Sequence, residues 1–117
     1  MVLALVDDLM FRSKIKSTAA PLGVAVTFAG SSDAALTAMR AARPALVILD
    51  LNNPRTDPLG TISAMKKDPA LTSIPTVGYV SHVDVATIDA ARAAGVDDVL
   101  ARSAFSMRLA ELLSRAG

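Results

Sequence analysis

The stretch Ala45-Leu46-Val47-Ile48-Leu49-Asp50-Leu51-Asn52-Asn53-Pro54 decides how the chain is read. Its apolar residues run without interruption into a single carboxylate, and Asn-Asn-Pro then turns the chain. An apolar run of this length fits a strand covered on both faces, the state of a central strand in a parallel sheet. Asp50 then stands at the carboxyl end of that strand, the edge at which open α/β sheets bind ligands. The stretch by itself leaves a second reading open, in which Asp50 only closes the following turn, as Asp and Asn do well.

Outward from this strand the pattern alternates. Residues 2–6 form a short apolar strand that stops at Asp7-Asp8. Over residues 10–20, Phe11, Ile15 and Ala19 recur at helical spacing against Arg12, Lys14 and Lys16, and Pro21 with Gly23 ends the helix. A second strand covers residues 24–28. Gly30-Ser31-Ser32-Asp33 supplies a turn and an N-cap for a helix over 34–42, stopped by Pro44. Beyond Asp50, residues 59–67 make a third helix with Ile62 and Met65 on one face, broken at Asp68-Pro69. Residues 76–80 form a fourth strand. Ser81 is expected to cap a helix from about Val83 to Ala94, closed by Gly95. A fifth strand over 98–101 and an amphipathic helix over 106–115, carrying Leu109, Leu112 and Leu113, complete the pattern. Strands alternating with helices imply an α/β fold, a parallel sheet doubly wound with helices on both faces and joined by right-handed crossovers.

Length and composition bound the function. A chain of 117 residues is expected to form one domain over residues 1–117 around a single core. Aromatics are only 3% of a chain that is 52% hydrophobic, so Val, Leu, Ile, Ala and Met must fill that core, with Met10, Met39 and Met65 as fillers. Twelve basic residues against eleven acidic ones leave a charge of +1, which gives no reason to expect nucleic acid or an anionic membrane as partner. Lys14, Lys16, Lys66 and Lys67 read as a solvated face. The absence of cysteine removes disulfides and thiolate metal sites and fits a reducing compartment. The apolar opening is too short for a signal peptide, and no run approaches the ~20 apolar residues of a membrane span, so a cytoplasmic protein is expected. Gly60 and Gly78 form no phosphate-cradling loop, and no Ser-His-Asp or metal-histidine grouping is present. An enzyme in its own right is therefore not expected.

Three carboxylates belong together. In a doubly wound sheet of order 2-1-3-4-5, the first and third strands are neighbours at the topological switch point. Asp7 and Asp8 end the first strand and Asp50 the third, so all three should meet at one edge. Clustered like charges oppose one another's ionisation, and folding alone gains nothing from them. Mg²⁺, a hard cation that takes oxygen ligands, would relieve the conflict. The other reading keeps Asp7 and Asp8 as caps of the first helix, where negative charge suits the helix dipole.

With Val6-Asp7-Asp8, the acceptor strand Val47-Ile48-Leu49-Asp50-Leu51-Asn52 with Pro54, Ile74-Pro75 and Gly95-Val96-Asp97-Asp98, the chain resembles the receiver domain of bacterial two-component response regulators over essentially its whole length. The resemblance implies a flavodoxin-like fold of five parallel strands in the order 2-1-3-4-5 with five helices. It implies that Asp50 is the phosphoryl acceptor in a phosphorelay. It implies that Asp8, Asp50 and the backbone carbonyl of Asn52 coordinate Mg²⁺, with Asp7 holding the ion through water. A histidine kinase or phosphotransfer protein is the implied donor.

The chain also departs from the family. Where the family has a Ser or Thr hydroxyl ending the fourth strand, this chain has Val80. Ser81 beside it should point to the opposite face. Where the family has a Lys followed by a cis proline, Arg102 and Ser103 stand, and Arg is a larger planar fork. The aromatic switch position of the fifth strand is Val99. The lost hydroxyl removes one donor to the phosphoryl oxygens, roughly 1.5–3 kcal/mol. Arg102 retains a positive charge for the transferred group. His82, the only histidine, reads as an exposed loop residue or as an influence on acyl-phosphate hydrolysis. Two functions stand side by side: a phosphoryl-accepting receiver, or a pseudo-receiver that binds partners without the switch. The face from Val83 to Arg115 is the expected protein-docking surface, with little dependence on the state of Asp50. A haloacid-dehalogenase-like phosphatase fails, since its motif needs an Asp on the opening strand and another two residues on.

Overall fold

Strands β1 (Val2–Leu5), β2 (Val26–Ala29), β3 (Leu46–Asp50), β4 (Thr76–Val80) and β5 (Asp98–Ala101) pair in parallel in the order β2-β1-β3-β4-β5. Helices α1 (Leu9–Leu22), α2 (Ser32–Ala41), α3 (Pro58–Lys67), α4 (Val85–Ala94) and α5 (Arg102–Ala116) cover the two faces, and a short 3-10 helix, Pro54–Thr56, follows β3. The structure is a computed structural model and describes residues 1–81 and 84–116. His82 and Val83, and with them the expected start of the docking face, lie outside the described residues.

Alternation along each strand builds two apolar layers. Leu3, Leu5, Val47, Leu49 and Val80 face Met39 of α2, Ile62 and Met65 of α3 and Ala91 of α4. Val2, Ala4, Ile48 and Tyr79 face Phe11 and Ile15 of α1 and Phe105 and Leu109 of α5. Strand β1 and the apolar part of β3 are buried throughout, as a central position requires, whereas the edge strands β2 and β5 each show an exposed residue. The parallel sheet, its strand order and the five covering helices agree with the sequence expectation.

Several boundaries differ, each for a local reason. Helix α1 runs through Pro21 to Leu22. The hydrogen bond that Pro21 lacks would have gone to exposed Ser17, where water serves, and the Gly23 and Val24 amides close the end on Ala20 and Ala19. Val24 is thereby spent on the helix, and β2 starts at Val26. Within the Gly30–Asp33 turn it is Ser31 that caps α2, its Oγ accepting from the Ala34 amide at 3.1 Å. Asp84, not Ser81, caps α4. Helix α5 starts at Arg102 rather than Ser106, because nothing from 102 to 105 breaks a helix and Phe105 is fully buried in its first turn. Met10 is 82% exposed and no core filler: it falls one position off the Phe11–Ile15–Ala19 stripe. Lys66 is half-buried and donates to the Thr72 carbonyl at 3.1 Å instead of lying wholly in solvent.

One glycine fixes where the chain leaves β3. A Cβ on Gly78 would stand 2.6 Å from Leu51 Cδ1 and 2.8 Å from its Cγ. The Leu51 side chain fills the space that a side chain at 78 would take, and the Leu51 amide donates to the Tyr79 carbonyl at 3.0 Å. Gly78→Ala should therefore destabilise the protein by about 1–3 kcal/mol in urea unfolding, as overpacking does. The same substitution made together with Leu51→Ala should cost under about 1 kcal/mol relative to Leu51→Ala alone. An undiminished cost in the double variant would place the strain elsewhere.

Candidate functional site

Because β1 pairs with β3, with Leu5 opposite Leu49, the chain leaving β1 carries Asp7 and Asp8 to the edge where Asp50 ends β3. Asp8 is the N-cap of α1: its Oδ1 accepts from the Met10 amide at 2.9 Å and the Phe11 amide at 3.4 Å. Its Oδ2 lies 3.5 Å from Arg102 Nη2. Asp7 Oδ1 accepts from Asn53 Nδ2, and Asp7 Oδ2 lies 3.2 Å from Arg55 Nη2. Asp50 Oδ1 accepts from the Asn52 amide at 3.1 Å. The helix-capping reading thus holds for Asp8, while each carboxylate also remains at the common edge.

Electrostatics divides the three acids. Burial raises the Asp50 pKa above the usual carboxylate range; the Asn52 amide and the Arg102 guanidinium pull it down, and Asp7 and Asp8 push it up. The fold supplies counter-charge on both sides, from Arg55 in the 3-10 helix after β3 and from Arg102 at the start of α5. Arg102 is also held by its base, with Cζ 4.5 Å from the Phe11 ring centroid, a cation–π contact. Among the described residues, no three acidic, histidine or cysteine side chains converge into a group that could hold a metal ion. Their oxygens are turned instead onto Asn53, Arg55, Arg102 and backbone amides.

The remaining expected residues fall as follows. Asn52 reaches across with its side chain, Oδ1 accepting from the Ser81 amide at 2.5 Å, and so links the loop after β3 to the end of β4. Val80 is buried in the aliphatic layer with Leu49 and Leu51. Val99 is half-buried against that layer. Asp7, Asp8, Asp50, Asn52 and Arg102 all reach one edge, where a groove of about 560 Å³ opens between Phe11, Lys14, Val80, Ser81, Arg102 and Ser103. Sequence reading passed over Asn53, Arg55, Phe11 and Tyr79. The Asn-Asn-Pro turn was the available signal for Asn53, which caps the 3-10 helix while donating to Asp7. Nothing in the sequence pattern marked Arg55. Among the described residues no helix is long and apolar enough to cross a membrane.

Comparison with known proteins converges on one family. The model for the response regulator receiver domain matches residues 2–114. No curated protein sequence matches the chain. A response regulator from Hahella chejuensis is 23% identical with a TM-score of 0.86, over 97% of this chain and 91% of that one. The chemotaxis response regulator CheY4 of Vibrio cholerae is 22% identical with a TM-score of 0.83, over 99% and 97%. The Mn²⁺-bound form of response regulator Rcp1 is 20% identical with a TM-score of 0.78, over 97% and 88%. At these identities the solved structures speak for the fold.

The burial of Asp50 has a measurable consequence. A carboxyl whose folded pKa is raised destabilises the native state while ionised, and that penalty disappears as pH falls through the folded pKa toward the unfolded value. Asp50→Asn, which keeps an acceptor for the Asn52 amide, should melt on the order of 3 °C higher than the parent near pH 7. The gap should close as the pH is lowered into the ordinary carboxylate range. Calorimetry at a series of pH values checks this, and a gap that persists unchanged in acid contradicts it.

Proposed function

Since the chain belongs to the response regulator receiver domain family, we propose that in two-component signalling it accepts a phosphoryl group on Asp50 from a histidine kinase or phosphotransfer protein. The observation that carries this is the placement of Asp50. It is a half-buried carboxylate at the carboxyl end of a central strand, oriented by the Asn52 amide, with Arg102 and the acidic pair at the same edge. An Asp50 carboxylate oxygen attacks the phosphorus of a phosphohistidine in line. The P–N bond breaks, its electron pair returns to the imidazole nitrogen, and that nitrogen takes a proton from solvent. Positioning and charge neutralisation are the main demands of such a transfer. Asn52 orients the nucleophile, and Arg102 stands ready to leave Asp8 for the incoming oxygens.

The donor set at this edge fits a hard divalent cation in its chemistry, all of it oxygen. Asp8, Asp50 and the Asn52 carbonyl would hold Mg²⁺, with Asp7 acting through water. The ion, when bound, supplies positive charge against the oxygens of the transferred group. The Mn²⁺-bound form of a structural relative supports a divalent ion here. In this chain Arg55 competes for Asp7 and Arg102 for Asp8.

Incubation with acetyl phosphate and Mg²⁺, followed by intact-mass measurement, tests the acceptor. The parent should gain one phosphoryl group and Asp50→Asn none. A parent that gains no mass leaves the interaction-module reading in its place, and an Asp50→Asn protein that gains it moves the acceptor elsewhere. Mg²⁺ should also raise the melting temperature, by binding the native state alone. Arg55→Ala should strengthen that effect. Its side chain is 79% exposed, so the ion pair is worth little and the gain in apparent Mg²⁺ affinity should be about two- to fivefold. Unchanged affinity in thermal titration would show that Arg55 does not compete.

A further inference from the structure

Tyr79 carries a feature that neither the core nor the site has explained. Among the described residues, its hydroxyl is the only buried side-chain oxygen or nitrogen without a hydrogen-bond partner. A buried donor left unmatched weighs against folding, and each such group calls for an explanation. Phe would fill the same space without the penalty, and the chain uses Phe at both neighbouring positions of the stack. The Tyr79 ring centroid is 4.6 Å from that of Phe11 in α1 and 4.8 Å from that of Phe105 in α5.

The position of Tyr79 relative to Asp50 supplies a reason. The two are register partners across β3 and β4, so their side chains leave the same face of the sheet. Val80, on the opposite face, has no hydroxyl to offer. Burial and then the Asp50 charge push the Tyr79 pKa upward, which keeps the phenol protonated and a donor. In the unphosphorylated fold the Asp50 carboxylate makes no hydrogen bond with it. A phosphoryl group on Asp50 would bring further strong acceptor oxygens to this edge.

We propose that Tyr79 is the hydroxyl donor to phosphorylated Asp50, taking from the other face of the sheet the place left empty at Val80. The proposal rests on the reading of Asp50 as phosphoryl acceptor. Tyr79 is a direct ligand of the phosphoryl oxygens in the loaded state and idle in the unloaded one. The stack of Phe11 and Phe105 holds the ring for that purpose, and the Arg102 guanidinium over Phe11 places a cation beside it.

The test uses beryllofluoride with Mg²⁺ as the phosphoryl mimic. Tyr79 is the only tyrosine and the chain has no tryptophan, so near-ultraviolet absorption and emission report this one ring. Beryllofluoride should shift the tyrosine absorption of the parent to longer wavelength, as hydrogen-bond donation to an anion does. Tyr79→Phe, which keeps the stack, should bind beryllofluoride three- to tenfold more weakly in an amide-shift titration. Before the mimic is added, its melting temperature should equal or exceed that of the parent. A parent that binds beryllofluoride with an unchanged tyrosine spectrum, or a Tyr79→Phe protein that binds it equally well, overturns this proposal and leaves the acceptor reading intact. A Tyr79→Phe protein less stable than the parent also overturns it, because the hydroxyl would then already have a partner. A parent that neither binds beryllofluoride nor takes up a phosphoryl group removes the acceptor reading and this proposal together.

Discussion

Everything at the functional edge depends on β1 lying beside β3. That pairing sets three carboxylates against one another at the end of a buried sheet, where charge is poorly solvated. The fold answers in kind. Asn53 and Arg55 take Asp7, the first amides of α1 and Arg102 take Asp8, and the Asn52 amide takes Asp50. The protein thus tolerates its acidic edge with its own cations and donors. The acidic edge is therefore compensated by Arg55 and Arg102 rather than left open.

The two faces of the sheet are built from different materials. Phe11, Tyr79 and Phe105 stack in the α1–α5 layer, and Phe28 packs against that same layer. The α2–α3–α4 layer is aliphatic, with Met39 and Met65 among its fillers. The resemblance to the receiver family leads one to expect a hydroxyl at position 80 and an aromatic at position 99, and both positions pack on the aliphatic side. Here Val80 and Val99 occupy those places, and the aromatic mass lies across the sheet, beneath Arg102. Tyr79, the register partner of Asp50, therefore packs against α1 and α5.

Much of this was legible in the sequence, because it follows from periodicity and order. The uninterrupted run ending in Asp50 is what a two-sided strand requires, and β4 and β5 are bounded as Pro75 and Gly95 suggest. A boundary shifted where the cap was decided by geometry: Asp84 won over Ser81 because its side chain reaches the free amides of α4. The acidic residues could be placed from strand order alone, and Arg102 through the family resemblance. Arg55 and Tyr79 could not. An arginine in a single 3-10 turn and an aromatic in a strand carry no periodic signal, and their meaning comes from neighbours distant in sequence. Met10 was misplaced by composition, which says how many core fillers exist but not which way each one points.

Among the described residues, the pairing of β1 with β3 is the only one in the sheet that skips a strand, since β1–β2, β3–β4 and β4–β5 all join consecutive strands. Non-local pairings close late, because the intervening chain must be ordered before they return any stabilisation. The carboxylate edge lies across that seam: Asp7 and Asp8 come from one side and Asp50 from the other. A chain that has made only β1, α1 and β2 holds Asp7 and Asp8 but not Asp50. The three carboxylates are therefore brought together only once β1 and β3 have paired.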